Sequence, residues 1–276
     1  MKFSICNEAF ENWTWTDTIK AIADAGYDGV EIAPFTLADS VSDLSAAERE
    51  TLRVQAQDVG LEIVGLHWLF VSPKGLHTTT DDEATRRRTT AYLCELIRFC
   101  GDLGGKVMVV GSPQQRNVEE GVAYDVAWQR FVEMIVVRDV RVDACLDLAT
   151  ERDVILCMEA LPTSQTNFVT SLAEAVKMVQ EVNHPNFQTM FDVHNACFET
   201  DPLPELVRRY MPYIKHVHVN EMDGGYPGSG DFDFGSIVRV LYQENFQGYV
   251  SIEAFDFSPG AERIAQESLR TLRAAL

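Results

Sequence analysis

Eight short apolar runs recur along this chain, each followed by a longer segment whose apolar residues repeat at helical spacing. The runs cover residues 2–6, 28–32, 61–66, 106–110, 154–158, 187–191, 214–218 and 249–253. The helical segments cover 16–25, 45–60, 81–103, 124–150, 171–182, 204–210, 234–243 and 260–276. Gly26, Gly60 and the Gly104–Gly105 pair stop three of these helices, and Ser45 with Glu48 forms a capping box that starts another. The runs are largely apolar, as is typical of strands buried on both faces. Strands that alternate with helices throughout build a parallel sheet, and eight such units close most simply into a barrel. An open doubly wound sheet would need a glycine fingerprint after the first strand, and Cys6-Asn7-Glu8-Ala9-Phe10 is not one. The expected fold is therefore α/β, a single (β/α)8 TIM barrel over residues 1–276, with no linker or shift in composition to divide it.

Composition narrows the partners. A formal net charge of −19 repels phosphate backbones and anionic lipid, so neither nucleic acid nor membrane is an expected partner. Residues 1–10 are too short and too polar for a signal peptide, and no apolar run reaches spanning length. The six cysteines lack metal-type spacing and mostly sit in apolar runs, among them Cys94, Cys100, Cys145 and Cys157. Buried, reduced thiols in a cytoplasmic protein are the expectation.

The chemistry gathers at the ends of the last four runs. Glu159 follows residues 154–158, Asp192 follows 187–191, His218 closes 214–218, and Glu253 closes 249–253. Side chains alternate along a strand, so Cys157 shares a face with Glu159, His216 with His218, and Ser251 with Glu253. The intervening Met158, Val217 and Ile252 suit the helix-facing side, which leaves the polar residues pointing into the barrel near its C-terminal mouth. Inward acids there are costly unless paired, protonated or bound to a cation. No nearby strand supplies an Arg or Lys of the right parity; Lys215 points the other way, so a cation from outside is the simpler answer. Glu159, Asp192, His218 and Glu253 are thus the expected metal ligands. Three carboxylates and one imidazole suit Mn²⁺, Co²⁺ or Mg²⁺ better than structural zinc.

Other residues flank this set. His216 lies two residues deeper than His218, as expected of a core histidine that orients its neighbours. Glu31, His67 and Trp68 end the second and third strands, on the rim opposite the metal strands. His194 and Asn195 follow Asp192 closely, either to touch substrate or to anchor the loop. Trp13, Trp15, Phe35 and Trp68 form either an apolar wall for a small ligand or ordinary packing. Asp233 fits the N-cap of the seventh helix. The glycines at 224, 225, 228 and 230 make a loop beside the metal strands.

Several stretches together resemble the xylose-isomerase-like barrel superfamily of sugar phosphate isomerases and epimerases, along essentially the whole chain. They are residues 26–31 (GYDGVE), 65–68 (GLHW), 159–162 (EALP), 191–194 (FDVH), 216–220 (HVHVN), 228–234 (GSGDFDF) and 251–253 (SIE). The closest subgroup by motif is the ketose 3-epimerases of the tagatose and allulose type. The resemblance implies that Glu159, Asp192, His218 and Glu253 hold a divalent ion, Mn²⁺ first. It also implies that Glu159 and Glu253 are the catalytic acid/base pair on opposite faces of the sugar. His67, Trp68, Gln165, His194 and Asn195 become the candidate substrate contacts, and a homo-oligomer (dimer or tetramer) is implied as well. Residues differ from the subgroup at several positions: Gln165 replaces a second glutamate, Thr163 an arginine, and Gly224 another arginine, while a histidine expected at 195 is Asn195. The expected activity is metal-dependent sugar isomerisation or epimerisation through a cis-enediolate. A lyase using the same deprotonation, as in cleavage of 3-oxo-glycosides, is the alternative, ahead of a non-catalytic sugar-binding barrel. The DNA-repair endonucleases of the superfamily need more histidines and a basic face.

Overall fold

In the computed structural model, which describes residues 1–136 and 145–276, all eight expected strands form. They are β1 (Lys2–Cys6), β2 (Gly29–Ile32), β3 (Glu62–Leu66), β4 (Val107–Val110), β5 (Ile155–Met158), β6 (Phe187–Asp192), β7 (Ile214–Val219) and β8 (Tyr249–Ile252). Each pairs in parallel with its neighbour in sequence, and β8 pairs with β1 to close the barrel.

The helices among the described residues are α1 (Trp15–Ala25), α2 (Ala46–Asp58), α3 (Glu83–Leu103), α4 (Tyr124–Val136), α5 (Cys145–Glu151), α6 (Leu172–Val182), α7 (Leu203–Tyr210), α8 (Phe234–Gln243) and α9 (Ala261–Ala274). Their ends follow local chemistry. Thr14 accepts from the Asp17 amide to start α1, and Gly26 at φ 96° stops it. Both bonds of the Ser45–Glu48 capping box are present. The expected helix over 124–150 is represented by α4 and α5, and residues 137–144 lie outside the described ones. Asp233 does occupy the N-cap position of α8, but its side chain makes no capping bond and lies 3.6 Å from Arg239 instead.

Two apolar layers hold the barrel. Met158, Val217 and Ile252 lie in the large buried cluster between strands and helices, as their parity requires. Val64, Val107, Val109, Cys157 and Met190 form a separate small cluster. Cys157 and Met190 share faces with Glu159 and Asp192, so this cluster is the floor beneath the polar mouth. Among the described residues no helix is long and apolar enough to cross a membrane. None of the six cysteines forms a disulfide, and five of them are buried.

Candidate metal centre

Register brings the strand-end residues together. Asp192 of β6 pairs with His218 of β7, and His218 pairs with Ser251, two residues below Glu253. Glu159 completes the group one residue beyond β5. Glu159, Asp192, His218 and Glu253 are all buried, and one ligand atom from each lies within 4.8 Å of every other. The structure thus assembles the four expected ligands around one point.

Neighbouring groups contact each of these four residues. His218 Nδ1 lies 3.0 Å from Glu253 Oε2 and 3.9 Å from Asp192 Oδ2, while its Nε2 lies 3.0 Å from Glu31 Oε1. Asn195 clamps two ligands: its amide donates to Asp192 Oδ1 at 2.7 Å, and its Nδ2 donates to Glu159 Oε1 at 3.0 Å. Asn220 Nδ2 donates to the Glu253 carbonyl at 2.9 Å. Arg116, only 1% exposed, does the same for Glu159, donating from Nη1 to its carbonyl at 2.6 Å and to Val110 O at 3.2 Å. A Cβ on Gly111 would overlap Glu159 Oε2, so that carboxylate packs directly on the β4 backbone.

The electrostatics favour a cation. Burial, then the charges of Glu253 and Asp192, push the Glu159 carboxyl up to about 8. Burial, then Glu253, raise Asp192 to about 6. Burial would lower His218, but the charges of Glu31 and Glu253 outweigh it and hold the imidazole well above its usual range. Asp192 Oδ2 has no hydrogen-bond partner, and among the described residues no Lys or Arg forms an ion pair with the three carboxylates. Three converging carboxylates, an orphaned oxygen and a mixed oxygen–nitrogen donor set all fit a divalent ion. Two other groups also converge, Cys6 with Glu31 and His218, and Cys6 with Glu8 and His67. Their carboxylates are already taken by imidazole bonds.

Glu31 departs from expectation. It does not sit on an opposite rim but is fully buried below the ligands, where it bonds His216 Nε2 at 2.7 Å as well as His218. A register shift between β2 and β3 at Val30/Glu31 accompanies this placement. His216 is a hydrogen-bonded core histidine, fully buried against Glu31.

The candidate substrate contacts separate into two groups. His67, Trp68, Gln165 and Asn195 line a chamber of about 20 Å³ with Glu159, Glu253 and Phe255. His67 Nε2 lies 2.6 Å from Glu8 Oε2, and Glu8 with Glu31 outweighs burial to bring the imidazole to about 9. Trp68 sits at φ 53°, a conformation uncommon for a bulky residue. His194 does not line this chamber: its Nδ1 lies 3.1 Å from the Glu221 carbonyl and its ring packs edge-on against Phe255. Of its two expected roles, the contacts match loop anchoring. Gly224, where the subgroup pattern has arginine, adopts φ 85° against Phe255, so a side chain there would be strained and crowded. The glycine loop is tied down by Glu221, which accepts from the Gly228 and Phe232 amides. Sequence reasoning missed Glu8, Gly111, Arg116 and Asn220. The first three lie on loops, where strand parity carries no information.

Comparison with known proteins agrees with the barrel fold. The family model described as xylose isomerase-like TIM barrel matches residues 19–275. A D-psicose 3-epimerase from Agrobacterium fabrum is 25% identical over 240 residues, covering 86% of this chain and 78% of its own. A 3-dehydro-D-guloside 4-epimerase from Escherichia coli is 23% identical over 285 residues, 99% of each chain. Among solved structures, D-psicose 3-epimerase from Clostridium cellulolyticum H10, with D-tagatose, superposes at TM-score 0.85 and 21% identity, covering 100% of this chain and 99% of the other. A 3-keto-D-glucoside 4-epimerase from E. coli does so at 0.84 and 20%, covering 99% of both. With the family model spanning nearly the whole barrel, the chain belongs to the xylose isomerase-like TIM barrel family.

Proposed function

We propose that the chain is a divalent-metal-dependent sugar epimerase or isomerase that moves a proton on the carbon beside a keto-sugar carbonyl. The enzyme class rests on the relatives, which are sugar epimerases matched over most of their length. The observation that carries the mechanism is the convergence of three buried carboxylates and His218 within 4.8 Å. Glu159, Asp192, His218 and Glu253 would hold the ion, Mn²⁺ first, with Co²⁺ and Mg²⁺ as alternatives. When bound, a divalent cation acts as a Lewis acid that stabilises negative charge developing on the carbonyl oxygen.

The remaining work falls to the chain itself. Glu159 and Glu253 reach the small chamber from β5 and β8, which are separated by two strands. One carboxylate on each side of a sugar lets one remove a proton and the other return one to the opposite face, which inverts the centre. A single acting base would return the proton to the neighbouring carbon instead and give isomerisation. Asn195 fixes the Glu159 and Asp192 carboxylates, and Arg116 and Asn220 fix the backbones that carry Glu159 and Glu253. His67 lines the chamber between two acids, its Nε2 2.6 Å from Glu8 Oε2 and its Nδ1 3.6 Å from Glu31 Oε1. The lyase alternative shares the first proton removal and is marked by release of a leaving group.

The test is metal content and turnover together. Protein stripped with a chelator should lose conversion of keto-sugars to their epimers, and one equivalent of Mn²⁺ per chain should restore it. Full activity after complete removal of divalent metal contradicts the proposal.

A further inference from the structure

Two chambers of unequal size share a wall at the barrel mouth, and only the smaller reaches the candidate ligands. The one lined by Glu159 and Glu253 has about 20 Å³, room for little more than an ion or a water. The second has about 580 Å³ and shares Trp68 and Phe255 with the first, so it is the neighbouring space into which a molecule held between the two glutamates would extend. A volume of that order suits drug-sized ligands, whose pockets span roughly 300–1,000 Å³, and exceeds the needs of one small sugar.

The walls of the larger chamber are aromatic. Phe10, Trp13, Trp15, Phe35 and Phe257 join Trp68 and Phe255 there. Trp13, Phe35 and Phe255 are each about 40% exposed, and large rings left open around a single mouth mark a binding surface. The polar edge is acidic: Glu8 and Glu11 line the chamber, while no Lys or Arg lines either chamber. Glu8, itself buried, gives Oε2 to His67 and leaves Oε1 without a partner. The nearby loop amides that could cradle an anion, those of Gly228 and Phe232, already donate to Glu221. A phosphate or carboxylate would meet Glu11 and Glu8 here, and the His67 imidazole that offsets Glu8 is already bonded to it.

We propose that the larger chamber is a subsite for an uncharged ring joined to the reacting sugar, so that the substrate class is a neutral keto-glycoside rather than a free ketose or a sugar phosphate. This rests on the epimerase reading for the identity of the reacting carbon. The aromatic walls cover the apolar face of a flat or chair-shaped ring, and Glu8 and Glu11 accept from hydroxyls along its edge. A free ketose would leave most of the wall bare.

Binding tests this independently of turnover, read by calorimetry and by quenching of tryptophan fluorescence in the full chain. Phenyl β-D-glucopyranoside should bind at least roughly tenfold tighter than methyl β-D-glucopyranoside, the gain expected from burying one ring face. Glucose 6-phosphate should bind more weakly than glucose. Comparison with cellobiose tells whether the ring is a second sugar or an aryl group. Trp13→Ala and Phe35→Ala, both at exposed positions that spare the core, should each erase most of the phenyl preference. Equal binding of phenyl and methyl glycosides, or tightest binding of the phosphate, overturns the proposal. In turnover, the metal-loaded enzyme should favour phenyl 3-keto-glucoside over D-fructose in kcat/KM. The reverse order keeps the epimerase reading and overturns the subsite. Absence of proton exchange with every keto-sugar, with the phenyl preference intact, overturns the epimerase reading and supports the subsite.

Discussion

His218 Nε2 lies 3.0 Å from Glu31 Oε1, both groups fully buried, while the opposite ring nitrogen faces Glu253 and Asp192. A carboxylate behind a metal-binding imidazole sets its tautomer and its orientation. Glu31→Gln should therefore weaken Mn²⁺ binding roughly 10- to 100-fold, measured by calorimetry on protein whose circular dichroism is unchanged. Unaltered affinity would show that Glu31 serves packing alone.

Gly111 bears on Glu159 in a different way. A methyl group there would occupy the space of Glu159 Oε2, and the flexible carboxylate would yield before the backbone does. Gly111→Ala should keep the fold and thermal stability within about 1 kcal/mol, yet lose most metal affinity. Retained affinity would mean that Glu159 binds through another rotamer.

The metal-free protein should lose stability as pH rises. Burial, with the charges of Glu253 and Asp192, holds Glu159 near 8, and burial with Glu253 holds Asp192 near 6. Unfolded carboxyls titrate at about 4, so between about pH 4 and 8 these two groups hold more protons in the folded chain than in the unfolded one. They outnumber the buried His216, whose lowered imidazole acts the other way below about 6.5. The chain's stability falls with pH through that window. His67, raised to about 9 by Glu8 against its burial, acts in the same direction. Its contribution is complete below about 6.5 and is lost as pH rises through 9. Chelator-treated protein should show a lower Tm at pH 8 than at pH 5.5. Mn²⁺ should raise Tm more at pH 8 than at pH 6, since it binds ionised carboxylates. A metal-free Tm that rises over this range contradicts the assignment.

Arg116 ties three segments together through the carbonyls of Val110, Glu159 and Val169. Arg116→Met should cost roughly 2–5 kcal/mol in chemical denaturation, because those buried acceptors lose their donor. Arg116→Lys should recover little of it, since one ammonium cannot reproduce the fork. Stability within error of wild type would remove Arg116 from the account.

Much of the site was legible before any coordinates. Parity along β5, β7 and β8 placed Cys157 with Glu159, His216 with His218 and Ser251 with Glu253, because a strand leaves only two directions for a side chain. The wall of Trp13, Trp15, Phe35 and Trp68 also lines one chamber. Parity failed where the chain leaves its strands. His194, two residues beyond Asp192, turns away to the Glu221 carbonyl, while Asn195 turns inward to Glu159. Arg116 arrives from a loop with no periodicity to signal its burial. The depth of Glu31 depends on the match between β2 and β3, a relation between distant segments that neither run contains alone.

The central claim is that Glu159 and Glu253 exchange a carbon-bound proton with solvent beside a keto-sugar carbonyl. Proton NMR tests it on metal-loaded protein incubated in D₂O with a panel of free ketoses and keto-glycosides, the metal being removed before spectra are recorded. The account predicts an epimer or isomer carrying deuterium at the reacting carbon. It also predicts a fall of roughly 10²- to 10⁴-fold in rate for Glu159→Gln and for Glu253→Gln, each with an intact fold. An epimer formed without solvent deuterium, or a fully active Glu253→Gln enzyme, would contradict it.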